Sequence, residues 1–166
     1  DYYSRILKTV QQVAPWLEDF VLERSDHNGN GILLRWRDRS FDVVFGPHLL
    51  SDGTARAIAL ITLLLQPVER LPSLIVIDEP ELGLHPYAMV VVASLVRAAA
   101  HHCQIILAPQ SPFLLDQFDT EDVVVVEPEE NQSVFRRLEP DRLTEWLEEY
   151  SVGELWEKNV IGGGPV

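Results

Sequence analysis

Leu74 to Ile77 are four consecutive apolar residues, and they stop abruptly at Asp78-Glu79-Pro80. Side chains alternate between the two faces of a strand, so an unbroken apolar run predicts a strand buried on both faces of a parallel sheet. In open α/β sheets, ligands collect outside the carboxyl ends of the strands. Two adjacent carboxylates at such an end are costly to desolvate unless a cation or a reacting water uses them. The plainer alternative, for Asp-Glu taken alone, is a strand that ends in a solvated acidic turn.

A second constellation lies upstream, Leu50-Ser51-Asp52-Gly53-Thr54-Ala55-Arg56, followed by the apolar run Ala57 to Leu65. Ser51 offers a hydroxyl, Gly53 lets backbone N–H groups approach a ligand closely, and a helix N-terminus adds positive potential, which together suit an anion. A Ser/Asp helix cap with a glycine is the bland alternative. Placement one helix before an acid-terminated strand gives the pair more weight than either part.

These words, with Asp78 to Pro86, Gln110-Ser111-Pro112 and Gly153 to Asn159, resemble the C-terminal half of an ABC-type ATPase of the RecF/SMC-like branch. More narrowly they resemble the predicted "AAA family ATPase" group. The resemblance implies an α/β fold, the C-terminal half of a P-loop NTPase head of ABC type. Its largely parallel sheet would be flanked by helices, with a small antiparallel β region at the N-terminus. It implies ATP and Mg²⁺ as ligands. Asp78, at the end of a Walker B strand, would hold Mg²⁺, directly or through water. Glu79 would polarise the attacking water, with Gln110 at the switch position. Ser51, Asp52, Gly53, Thr54, Arg56, His85 and Ser111 would contact nucleotide. The implied partner is a second copy of the head, with DNA reached through other parts of a longer protein. The implied function is ATP binding and hydrolysis that drives head-to-head closure as a conformational switch. The alternative is a binding or scaffolding module of ATPase-like fold without turnover. A metal-dependent nuclease using Asp78, Glu79 and Glu81 is a third, weaker reading, since two-metal nucleases gather carboxylates from several strands.

Three departures bear on this. No Gly-x-x-x-x-Gly-Lys-Ser/Thr occurs in the 166 residues, so the phosphate-binding loop and its lysine are absent. Gln110 stands where many ABC-type ATPases have a histidine, and glutamine cannot carry that residue's proton or charge. His85 stands where the transporter branch usually has an acid, a variation that resembles the RecF/SMC branch and does not count against the resemblance. The intact downstream motifs and the lack of an initiating methionine lead to the expectation of a fragment of a longer ATPase, not a free-standing degenerate half.

Acids outnumber bases 26 to 13, and the net charge of −13 repels phosphate backbones, so nucleic-acid binding by this segment itself is not expected. Arg35, Arg37 and Arg39 alternate as on a solvated edge strand. His101, His102 and Cys103 diverge in direction and have no second ligand pair at zinc-like spacing. The single cysteine fits a reducing cytoplasm, and no apolar run reaches the ~18 residues of a membrane span.

The whole chain, 1–166, reads as a single incomplete head. Its first part, 1–46, is a helix over Tyr2 to Val13 plus three short strands around a turn-rich loop at Asp26 to Gly31. The core, 47–139, alternates helix and strand: a helix over Thr54 to Leu65 buried on most sides, a helix over Tyr87 to Ala100, a strand over Gln104 to Leu107, and a strand pair over Val123 to Val126 and Phe135 to Leu138. The last part, 140–166, holds an amphipathic helix through Leu143, Trp146, Leu147 and Tyr150, a short helix near Gly153 to Lys158, and a frayed Gly162 to Pro165 tail.

Overall fold

The computed structural model of the chain describes residues 1–24 and 31–164, so most of the Asp26 to Gly31 loop and Pro165 lie outside the described residues. The chain separates into two compact units. One comprises Asp1–Ile77 with Leu82–Ile106, the other Asp78–Glu81 with Leu107–Val166.

In the first unit, helix α1 (Tyr2–Val13) forms as its helical apolar spacing predicts. The Asp1 carboxylate accepts from the Tyr3 N–H to cap it, and Val10 is fully buried. Strands β1 (Leu17–Arg24), β2 (Ile32–Asp38) and β3 (Val44–Phe45) form an antiparallel layer in that order, with Leu22 opposite Leu34 and Trp36 opposite Phe45. β2 is therefore the central strand, which corrects the edge-strand expectation for its arginines, and Arg35 pairs with Glu23 at 3.2 Å. Aromatic packing holds the layer: Trp36 stacks on Phe45 and takes Trp16 edge-on, while its indole N–H donates to the Gly46 carbonyl. The Tyr3 hydroxyl donates to Asp19, tying α1 to β1. Burial and then the Asp19 carboxylate push the tyrosine's pKa above its usual 10.0.

Helices α2 (Asp52–Leu64) and α3 (Pro86–Ala100) complete that unit. α2 buries Gly53, Ala57, Ile58, Ile61 and Leu64 but exposes Ala55, Arg56, Ala59 and Thr62, so it is covered along one stripe and not on most sides. Strands β4 (Leu74–Asp78) and β5 (Gln104–Ala108) pair in parallel, with Gln104 N–H donating to Ser73 O at the start and Glu79 N–H to Ala108 O at the end, each at 3.0 Å. Both begin in the first unit and end in the second.

The expectation of two-sided burial for β4 fails. Ile75 is buried, but Leu74, Val76 and Ile106 are 46%, 63% and 47% exposed. Among the described residues that second face is only partly covered.

The second unit holds the short helix α4 (Pro112–Leu115), the hairpin of β6 (Val124–Glu129) and β7 (Gln132–Arg137), and helices α5 (Pro140–Leu147) and α6 (Val152–Glu157). Val125, Leu138, Val152, Leu155 and Ile161 form its core, with Leu143, Leu147 and Tyr150 of the predicted apolar stripe packed against it. Of the tail expected to fray, Gly162 and Gly163 are tied back to the second unit, while Pro165 lies outside the described residues. Gly162 and Gly163 take positive φ values of 81° and 65°, and the Gly163 carbonyl accepts the Trp156 indole N–H at 2.8 Å. Among the described residues no helix is long and apolar enough to cross a membrane.

Candidate functional site

β4 ends at Asp78, an exposed carboxylate at the carboxyl end of a parallel strand. Glu79 is still held to the neighbouring strand through its N–H bond to Ala108, yet its backbone turns to φ 45°. That conformation is strained for a residue with a side chain, more so for one followed by proline, and costs on the order of 1–3 kcal/mol. The strain sits on the residue that the motif assigns to the attacking water.

The loop after β5 meets this turn. The Gln110 side-chain amide donates to Glu79 Oε1, so the two residues expected to lie side by side do so. The Gln110 backbone N–H donates to Glu81 Oε1 at 2.5 Å. Glu81 is only 8% exposed, and its other carboxylate oxygen, Oε2, is buried with no hydrogen-bond partner among the described residues. Sequence reasoning gave Glu81 no place in the ATPase site. The available signal was a third acid two residues past Glu79, across Pro80, where the chain has to turn back. No three acid, histidine or cysteine side chains gather as metal ligands among the described residues, as a nuclease reading requires.

In the first unit, Ser51 caps α2: its hydroxyl accepts the Thr54 N–H at 3.2 Å and lies 2.9 Å from the Thr54 hydroxyl. The Asp52 and Gly53 N–H groups of that first turn have no intrahelical carbonyl to bond, as at any helix start. Gly53 is buried against the loop before α3, where a Cβ would stand 1.9 Å from the Gly83 carbonyl oxygen. Its small size thus serves packing, a demand the anion reading did not foresee. Asp52 and Arg56 are exposed.

His85 caps α3 through Nδ1, which accepts the Tyr87 N–H at 3.2 Å, and Ser111 caps α4 by accepting the Leu114 N–H at 3.3 Å. Each therefore has a structural task besides the nucleotide contact expected of it. The geometry joins Glu79, Glu81 and Gln110 directly; Ser51 and Thr54 form a separate pair.

The donor set at the strand end fits Mg²⁺. That ion is commonly held by one or two carboxylates, with phosphate oxygens and water completing its shell. Asp78 is one such exposed carboxylate, with no hydrogen bond or ion pair among the described residues.

Residues 3–116 match the family described as "AAA domain, putative AbiEii toxin, Type IV TA system". No curated protein sequence matches the chain. Among solved structures it is similar to one from work on ATP-driven dimerization and DNA-stimulated activation of SMC ATPases, at 16% identity and a TM-score of 0.64, covering 89% of each chain. It is also similar to the Pyrococcus furiosus Smc head with an extended coiled coil bound to the C-terminal domain of ScpA, at 15% identity and a TM-score of 0.65, covering 89% of this chain and 37% of that one. A third is the Thermotoga maritima SMC head domain, at 16% identity and a TM-score of 0.53, covering 83% of this chain and 47% of that one. The chain thus spans less than half of two of these three structures. It belongs to the AAA-domain family that matches residues 3–116, and its fold is that of part of an ABC-type, SMC-like ATPase head.

Proposed function

We propose that this chain supplies the signature, Walker B and switch-loop residues of an ATPase head that closes on a second head around ATP, in the cytoplasm, as a conformational switch. The observation that carries the reading is the hydrogen bond from the Gln110 amide to Glu79, made at the carboxyl ends of two neighbouring parallel strands beside the exposed Asp78. Asp78 is the ligand for Mg²⁺, which when bound supplies charge neutralisation at the β- and γ-phosphates. Glu79 polarises the attacking water, and the Gln110 amide, bonded directly to Glu79, orients its carboxylate toward that water. Ser51, Thr54 and the free N–H groups of Asp52 and Gly53, with Arg56, face the γ-phosphate of a nucleotide held by the partner head. Asp52, His85 and Ser111 border the nucleotide. A phosphate-binding loop outside these 166 residues completes the site. The partly covered apolar face of Leu74, Val76 and Ile106 supports a missing complementary part. DNA, if it is a partner, meets other parts of the whole protein.

The test is Glu79→Gln in the protein expressed from its natural reading frame. ATP should bind with affinity close to wild type while turnover falls by about a hundredfold or more, the usual loss when a positioned general base is removed. Undiminished turnover removes Glu79 from this role. A wild-type protein that binds ATP but never hydrolyses it favours the scaffolding reading. One observation already leans that way, since Glu79 is engaged by a glutamine and not by a histidine.

A further inference from the structure

We propose that Glu81 is a positioning residue for hydrolysis: it fixes the switch loop by holding the Gln110 backbone, so that the Gln110 amide meets Glu79. The inference rests on the proposed function and deepens it. Gln110 offers two donors to this turn, and two acids separated only by Pro80 take them. Glu79 accepts the side-chain amide and Glu81 the main-chain N–H. Glutamine has three rotatable side-chain bonds, so the amide contact alone leaves the loop backbone free to shift. The bond at the backbone removes that freedom at its root, and a carboxylate acceptor makes it a strong one. Pro80, itself buried, stiffens the link between the acids.

Burial sharpens the point. Glu81 is 8% exposed and leaves Oε2 without a partner among the described residues. A neutral acceptor would serve one N–H with less desolvation, so fold stability by itself gives little reason for a carboxylate here. Holding a reacting geometry does give one, because displacement of a catalytic group by about 1 Å can cost a hundredfold in rate.

The experiment uses the full natural protein and the variants Glu81→Ala, Glu81→Gln and Glu79→Gln with Glu81→Ala. Steady-state ATP hydrolysis is read together with hydrogen exchange of the peptide containing Gln110. Glu81→Ala should lower kcat about tenfold or more, as expected for a lost charge-assisted hydrogen bond, with KM for ATP unchanged within about twofold. It should also speed exchange at Gln110. Glu81→Gln keeps a side-chain carbonyl for the same N–H but not its charge, and should recover part of both losses. In the Glu79→Gln background, Glu81→Ala should cost nothing further.

Unaltered kcat in a folded Glu81→Ala protein overturns the proposal. So does Glu81→Gln behaving like Glu81→Ala, or a rise in KM with kcat unchanged. If Glu79→Gln itself hydrolyses ATP at the wild-type rate, the proposed function is what fails. The exchange measurement still decides in that case whether Glu81 holds Gln110.

Discussion

Gly53 and Gly83 meet backbone to backbone: a Cβ on Gly53 would lie 1.9 Å from the Gly83 carbonyl oxygen, and Gly83 itself has φ 77°. The obstructing atom is main chain, so no rotamer change relieves the clash; either α2 or the loop before α3 must move. Gly53→Ala should therefore destabilise the protein by about 2–3 kcal/mol, the upper part of the range for core overpacking. Ser51→Ala removes one capping hydrogen bond and should cost only about 1 kcal/mol. Thermal melts followed by circular dichroism separate the two: a clear loss of midpoint for Gly53→Ala and a small one for Ser51→Ala. Equal midpoints would mean that the close approach is not maintained in solution. The same comparison warns against assigning a signature glycine to phosphate contact alone, because at this position packing already excludes a side chain.

Helix α6 is held to α4 by one carboxylate. Asp116 accepts the Ser151 hydroxyl at 2.9 Å and the Gly153 N–H at 2.6 Å, while Ser151 and Glu154 close a capping box over the same helix start. Gly153 must lack a side chain, since a Cβ there would stand 2.5 Å from the Pro112 carbonyl oxygen. Asp116→Ala leaves two donors without their acceptor and should cost about 2–3 kcal/mol. Because Val152 and Leu155 carry α6 into the second unit's core, the loss should appear as faster hydrogen exchange over α6 before global unfolding. Uniform exchange with wild-type stability would show that the helix docks without Asp116.

What the sequence disclosed follows the range of each interaction. α1 and α3 were readable because caps, prolines and apolar spacing are local, and the parallel pair because Leu74–Ile77 and Gln104–Leu107 are short apolar runs ending in loops. The adjacency of Glu79 and Gln110 followed from that pairing. Neither Glu81's grip on Gln110 nor Asp116's on Gly153 could be read, because each joins residues about thirty or more apart and leaves no periodic trace.

At the scale of the molecule, the unbroken apolar run of β4 presents one face that is about half in water. That run asks for cover on both faces, yet only the face of Ile75 is buried, and Leu74, Val76 and Ile106 stand partly in water. A strand selected for water on one face would alternate with polar residues, as half-buried strands do. Under the proposed function, a further part of the head lies over the row. Val76→Ser discriminates. In the isolated chain the side chain is already mostly in water, so the change should alter stability by less than about 0.5 kcal/mol, as for most surface substitutions. In the protein from its natural reading frame the same side chain should be buried, and losing it should cost about 1.5–3 kcal/mol with a newly buried hydroxyl besides. Chemical denaturation of both forms gives the two differences directly. Equal small effects would place Val76 at a solvent-exposed surface in the whole protein, and the case for this chain as half of a head would then rest on its motifs alone.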